Sequence, residues 1–333
     1  MPVDTPFTDR RTTLKSLGGL GLAGAGLLAL PFAASAQAER VVRFILPNAT
    51  GSGVDTITRS VQPALAKTLG MNVIVENQPG AGGILGLQTL ARAAADGLTL
   101  SVVSNNVVIF PSVYKALPFA MPADFTPIAI CGFTPVLLVV NPKVPARTSQ
   151  ELVSLLKSRP GDVNYASSGS GTILHLAAAM YLDEVGATAR HVPYKGVGAM
   201  ITDLIGGHVD FATAALPSVQ GHLKSGALRA IGTATSKRLE AAPEIPTFVE
   251  QGVPNYVVEA WFAVIGPKGL KEAEARRIRD GVAAAFATPE VQAAMKKQGN
   301  IIDVSSTDHA QRFFASELAQ YAAGVKTAGI EPQ

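Results

Sequence analysis

At 333 residues, with 47% hydrophobic and 16% charged side chains and a formal net charge of +3, the chain is long enough for two medium α/β domains, each with its own core. Its charge is too small and too scattered to suggest a nucleic-acid partner. The single cysteine, Cys131, follows the apolar run Ile128-Ala129-Ile130; it excludes an internal disulfide and fits a small buried packing residue better than a nucleophile.

Residues 1–38 read as an export signal. Arg10, Arg11 and Lys15 precede an uncharged stretch over 17–30, followed by small residues ending in Ala34-Ser35-Ala36 and Ala36-Gln37-Ala38, so cleavage is expected after Ala36 or Ala38 and the mature chain is expected in the periplasm. The order Thr8-Asp9-Arg10-Arg11-Thr12-Thr13-Leu14-Lys15 resembles a twin-arginine signal, and the Gly-rich, weakly apolar core suits that route. A transmembrane anchor fits less well, because Gly18, Gly19, Gly21, Gly24 and Gly26 dilute the apolar run and Pro31 breaks it before roughly 20 residues accumulate. No later stretch is long enough to span a bilayer, and a soluble mature protein is expected.

Beyond the signal, short β-rich runs alternate with helical patterns. The first strand is predicted at 41–46, and the helix after it carries Ile57, Val61, Leu65 and Leu69 at four-residue spacing. Strand 73–75, a helix from near Ile84, strand 98–103 and, after a Pro-containing passage, the apolar run 136–140 continue the βα rhythm of a parallel or mixed sheet. Thr148-Ser149-Gln150-Glu151 is a capping box for a helix that Pro160-Gly161 stops. Strand 163–167, helix 172–183, strand 191–194, helix 199–205 and strands 209–213 and 228–233 follow, and helices at 271–287, 289–298 and 308–323 close the chain. The Pro- and Gly-bearing segments 141–147 and 252–268 are the expected crossovers. They divide the mature chain into lobe 1, 39–140 plus 262–333, and lobe 2, 141–261, with a ligand cleft between them.

Three loops share a strand, Gly-rich turn, helix-start design: 47–55, 77–83 and 166–172. Glycine lets the backbone approach a ligand, and the first helical N–H groups with the positive end of the helix dipole favour an anion. Ser52, Ser167, Ser168 and Thr172 add hydroxyl donors. Such loops also need Gly and Ser simply for turns and caps. Gly80-x-Gly82-x-x-x-Gly86 misses the spacing of a dinucleotide fingerprint, and no phosphate-binding Gly-x-x-x-x-Gly-Lys-Ser/Thr loop occurs, so no cofactor is expected. The histidines at 175, 191, 208, 222 and 309 form no i, i+4 pair, which argues against a metal site. Ser167, Ser168 and Ser170 lie in a strand-turn-helix setting without a Gly-x-Ser-x-Gly elbow. A secreted serine-type hydrolase using Ser168 or Ser170 with His175 is therefore only an alternative, and the protein is not expected to be an enzyme. His175 either lines a cleft or packs in the helix.

Several segments, in their order and spacing, carry a family resemblance across essentially the whole mature chain. They are 47–55, Glu76-Asn77-Gln78-Pro79-Gly80-Ala81-Gly82-Gly83, Ala95-Asp96-Gly97, 164–172, His191-Val192-Pro193-Tyr194-Lys195-Gly196, 203–210, Leu216-Pro217-Ser218 and Pro246-Thr247. In these the sequence resembles the solute-binding receptors of tripartite tricarboxylate transporters, the Bug receptors. The resemblance implies an α/β, two-lobed periplasmic-binding-protein-like fold of type II. It implies a carboxylate held between the first βα loop and the loop after Asn164-Tyr165-Ala166, partly through ordered waters.

Carried over to matching positions, the resemblance points to Gly51, Ser52, Val54 and Asp55 on one side and Ser167, Ser168, Gly169 and Thr172 on the other. Asp55, an acid, suits a cap better than a direct contact with an anion. Asn48, Gly82, Asn105, His175, Tyr194 and Ala214 complete the expected ligand-binding set, with Asn106 and Lys195 as further lining candidates. The chain departs from the family at Asn48, where an aromatic residue is common, and at Ser52, where a second glycine is common. Both make the first loop more polar. The segment 211–217 has no acidic residue before Leu216-Pro217, unlike amino-acid-binding relatives. The expected ligand is thus a small carboxylate without a positive group: a di- or tricarboxylate or an aromatic carboxylate. A monomer delivering to the membrane subunits of a tripartite transporter is expected, and a ligand-presenting sensor subunit would share the same capture step.

Overall fold

The computed structural model describes residues 40–327 and 332, so the predicted export signal lies outside the described residues. Strand β1 (Val41–Leu46) enters α1 (Gly53–Leu69), whose buried stripe Val54, Ile57, Val61, Leu65 and Leu69 follows helical spacing and which Gly70 ends in the left-handed conformation. Next come β2 (Asn72–Asn77), a 3-10 turn (Ala81–Gly83), α2 (Ile84–Ala91), β3 (Thr99–Ser104), α3 (Asn106–Val113) and the 16-residue β4 (Phe125–Val140). Then α4 (Ser149–Ser158) starts at Thr148, whose hydroxyl accepts from the Glu151 N–H as the capping box predicts. The chain continues through β5 (Asn164–Ser167), α5 (Ile173–Glu184), β6 (Arg190–Pro193), α6 (Val197–Gly206), β7 (Phe211–Ala215), α7 (Leu216–Lys224), β8 (Arg229–Thr233) and β9 (Glu259–Pro267). It ends with α8 (Glu272–Phe286), α9 (Pro289–Gln298), β10 (Ile301–Ile302) and α10 (Thr307–Thr327).

The strands form a mixed sheet in the order β2-β1-β3-β9-β4-β7-β5-β6, with β8 and β10 also on β4. The long β4 joins two sectors. Its first part pairs antiparallel with β9 and β10, while Val136–Val140 pairs with β7 and β8. One core gathers β1, α1, β3, β9, α8 and α9; the other gathers β4, β5, β7 and the helices α3 to α7, with α10 returning across α3 and β4. This is an α/β periplasmic-binding-protein fold. It sets β1, β5 and β7 so that the helices following them, α1, α5 and α7, start at a common cleft.

Two readings of the chain change. The strand predicted at 136–140 starts eleven residues earlier, at Phe125, and includes Pro127 beside a register shift, a place where sheets tolerate proline. The predicted crossover 252–268 contains β9, a central strand whose residues from Ala260 to Pro267 are all buried. Its unbroken apolar run is the signature of a strand covered on both faces, and Gly252 and Pro254 lie before it.

Candidate functional site

The first loop is built around a carboxylate. Asp55 Oδ2 accepts from the Gly51 N–H at 2.9 Å, and Oδ1 accepts from Arg59 Nε at 2.8 Å and Asn77 Nδ2 at 3.0 Å. Ser52 caps α1, its Oγ accepting from the Asp55 N–H. Asn77 Nδ2 also donates to the Asn48 carbonyl at 3.0 Å. These bonds fix the backbone of the loop while leaving the Asn48 amide side chain to the cleft.

Opposite it, the β5–α5 loop closes on itself. Thr172 caps α5, accepting from the His175 N–H and donating to the Gly169 carbonyl at 2.8 Å, while Ser168 Oγ donates to Thr172 Oγ1 at 3.2 Å. Ser167 Oγ lies 2.7 Å from His191 Nε2, and the Gly171 N–H donates to His175 Nδ1 at 3.2 Å. The two imidazoles stack with centroids 3.9 Å apart, Tyr165 adding a further face. Burial pushes both histidines down to about pKa 4, with the neighbouring imidazole as a second cause for His191. They form a neutral aromatic floor behind the loop, and Ser168 and His175 are bonded elsewhere rather than to each other.

Between the loops lie two adjoining compartments that share Asn48, Asn106, Ser168 and Val197. The outer one is lined by Pro79, Gly80, Gly82 and Lys195 among others. The inner one is lined by Ser52, Gly53 and Val54 at the start of α1, Ile173 and Leu174 at the start of α5, and Ala215 and Ser218 at the start of α7, with Ser104, Thr134 and Val136. Three helix N-termini thus meet one cavity, a setting that favours negative charge. Among the described residues no carboxylate side chain lines either compartment, and Lys195 is the one charged lining residue. The buried atoms Asn48 Oδ1, Thr134 Oγ1 and Ser218 Oγ have no hydrogen-bond partner among the described residues. Across the cleft, Asn106 Oδ1 accepts from the Ile173 N–H at 2.8 Å and Tyr114 OH donates to the Ser170 carbonyl at 3.1 Å.

Of the residues singled out from the sequence, Asn48, Ser52, Val54, Gly82, Asn106, Ser168 and Lys195 line the compartments. Gly51, Asp55, Ser167, Gly169, Thr172 and His175 stand one layer back, in the bonds that shape the loops. Asn105 is buried elsewhere, accepting from the Trp261 N–H and donating to the Glu259 carbonyl and Tyr321 OH. The Tyr194 hydroxyl donates to Asp203, and Ala214 is buried in β7 while its neighbour Ala215 faces the cavity. Sequence reasoning missed Thr134 and Ser218 as lining residues. Ser218 sat in a quoted motif, whereas Thr134 lies in a passage whose strand character was itself unrecognised.

The family described as tripartite tricarboxylate transporter family receptor matches residues 57–330. Protein BugT of Bordetella pertussis is 32% identical over 322 residues, covering 96% of this chain and 98% of that protein. The structure of the periplasmic binding protein BugD superposes with a TM-score of 0.84 at 29% identity, over 89% of this chain and 99% of that one. A Rhodopseudomonas palustris protein solved with adipate gives 0.85 at 28% identity, over 88% and 99%. These matches set the hydrolase alternative aside, since the family consists of binding receptors. The chain belongs to the tripartite tricarboxylate transporter receptor family.

Proposed function

We propose that this receptor captures a small di-, tri- or aromatic carboxylate that carries no positive group, in the periplasm, and presents it to the membrane subunits of a tripartite transporter. The observation that carries this reading is the inner compartment: three helix N-termini and unpartnered hydroxyls converge on a cavity that no acidic side chain among the described residues lines. An anion is stabilised there without a counter-ion, whereas an ammonium would lose its hydration and find no carboxylate in return. Lys195 at the outer compartment suits a second acidic group. Ser52, Val54, Gly82 and Ser168 serve as contacts, and Asp55, Gly51, Ser167, Gly169 and Thr172 hold the loops in place. Binding works by hinge closure of two lobes about the crossovers near 141–147 and, in the part of 252–268 that precedes β9, near 252–258, the closed form being stabilised by contacts made only when both loops meet the ligand.

Thermal stability against a panel of mono-, di- and tricarboxylates, aromatic carboxylates and amino acids tests the reading. A ligand at 100 times its dissociation constant adds about 2.7 kcal/mol. Saturable stabilisation by a carboxylate supports the proposal; stabilisation by amino acids alone overturns it.

A further inference from the structure

Asn48 Oδ1, Thr134 Oγ1 and Ser218 Oγ are unpartnered and buried, and all three residues line the inner compartment. They differ in what they ask of a ligand. The threonine and serine hydroxyls rotate, and each can donate to a carboxylate oxygen. An amide oxygen only accepts, so a carboxylate, ionised and without a hydrogen, leaves Asn48 Oδ1 unsatisfied and adds repulsion. In the amide orientation present here, a ligand that brings a hydrogen to Asn48 as well as an anion to Thr134 and Ser218 satisfies all three. An ammonium would supply one, but no acidic side chain among the described residues lines the cavity to balance it. A hydroxyl supplies the hydrogen while remaining neutral and small. The Asn48 backbone is meanwhile held by Asn77 at 3.0 Å, which leaves the side-chain amide positioned rather than free to withdraw into solvent.

We infer that the ligand is a hydroxycarboxylate, its carboxylate received by Thr134 and Ser218 and its hydroxyl donating to Asn48 Oδ1. This rests on the carboxylate-receptor reading and narrows it. Asn48 is then the residue that distinguishes a hydroxylated acid from its plain counterpart, and Thr134 and Ser218 hold what both share.

Titration calorimetry with matched pairs tests this: malate against succinate, 2-hydroxyglutarate against glutarate, 3-hydroxybutyrate against butyrate, and 4-hydroxybenzoate against benzoate, with the amino- and carboxamide-bearing counterparts alongside. The wild-type receptor is expected to prefer the hydroxylated member of at least one pair by about tenfold or more, since the plain acid leaves a buried acceptor unpaired. Asn48→Leu removes that preference, whereas Thr134→Val and Ser218→Ala weaken both members of the pair alike. Circular dichroism melts establish that each variant is folded, and Asn48→Ala serves if the leucine is not accommodated. Equal or tighter binding of the plain acids overturns the inference and leaves the receptor reading standing, as does a preference for the carboxamide counterpart; a preference for the amino counterpart overturns the inference together with the reading that the ligand carries no positive group. A preference for the hydroxylated acid that survives both Asn48 variants overturns the role of Asn48. Failure of every carboxylate to bind overturns both readings together.

Discussion

Asp55 shows how a charged residue beside a proposed anion site can be structural. Its carboxylate accepts from Gly51, Arg59 and Asn77, so both oxygens are bonded within the protein, and it holds the loop from which Asn48, Ser52 and Val54 reach the cavity. Asp55→Ala strands the Gly51 N–H and the Asn77 amide and should cost about 2–3 kcal/mol in urea unfolding, with a weaker ligand response. Asp55→Asn should keep part of this network, and equal stability of all three proteins would show that the network does not support the loop. The histidine pair gives a second expectation at this scale. In the unfolded chain an imidazole titrates near 6.5, while in the fold both lie near 4. The unfolded state therefore binds more protons between these values, and stability is fully present above about pH 6.5 and is lost as pH falls toward 4. The melting temperature should decline over that window, and His191→Gln should flatten the decline; a pH-independent melting temperature from 7 to 4 would contradict the neutral buried pair. Neither arrangement was legible in the sequence beyond the cap assigned to Asp55. The His175–His191 stack joins α5 to β6, and residue types alone do not reveal which distant rings meet.

Elements were legible where the local signal and the tertiary demand agreed. The run at 41–46, the four-residue stripe of α1 and the Thr148 capping box all mark their elements locally, and the structure has them at those places. Where burial on every side erased the periodicity, reading failed: α3 is a β-branched run, buried from Asn106 to Phe110, that offers no amphipathic face, and β9 is apolar throughout from Ala260 to Ile265. Similarly, three of the Gly-rich loops could be recognised as helix starts, yet the inward aim of Ser218 follows from β7 ending at Ala215, which alternation alone did not fix. Helix α5 carries an expectation of its own. Thr172 accepts from the His175 N–H and ties Gly169 and Ser168 to the helix start, so Thr172→Ala should destabilise the protein by about 1–2 kcal/mol and weaken ligand binding, while Thr172→Ser should retain most of both. If alanine lowers stability with no effect on affinity, the cap supports the helix without shaping the site.

At the scale of the whole molecule, the first loop and the β6–α6 turn approach each other across the cleft. A Cβ on Gly196, which has φ +126°, would lie 2.8 Å from the Ala49 Cβ, so the approach of the β6–α6 turn to the first loop depends on a missing side chain. The proposed hinge closure makes a separable prediction from this. Gly196→Ala introduces two effects: backbone strain at a positive φ, which acts whether or not the cleft is closed, and a clash with Ala49, which acts only when the two loops meet. Strain appears as a lower melting temperature of the unliganded protein; the clash appears as lost affinity. Affinity for the stabilising carboxylate should fall by about tenfold or more, because a ligand shifts the equilibrium only by its preference for the closed form. Small-angle scattering should show ligand-induced compaction in the wild type and less of it in the variant at the same ligand concentration. Ala49→Gly removes the Cβ that Gly196→Ala meets, so the double variant should recover part of the affinity and compaction without recovering the melting temperature, a coupling that a double-mutant cycle isolates. Additive losses in the cycle, with the same compaction in every variant, would mean that the two loops do not approach one another on binding and that the cleft captures its ligand without closing.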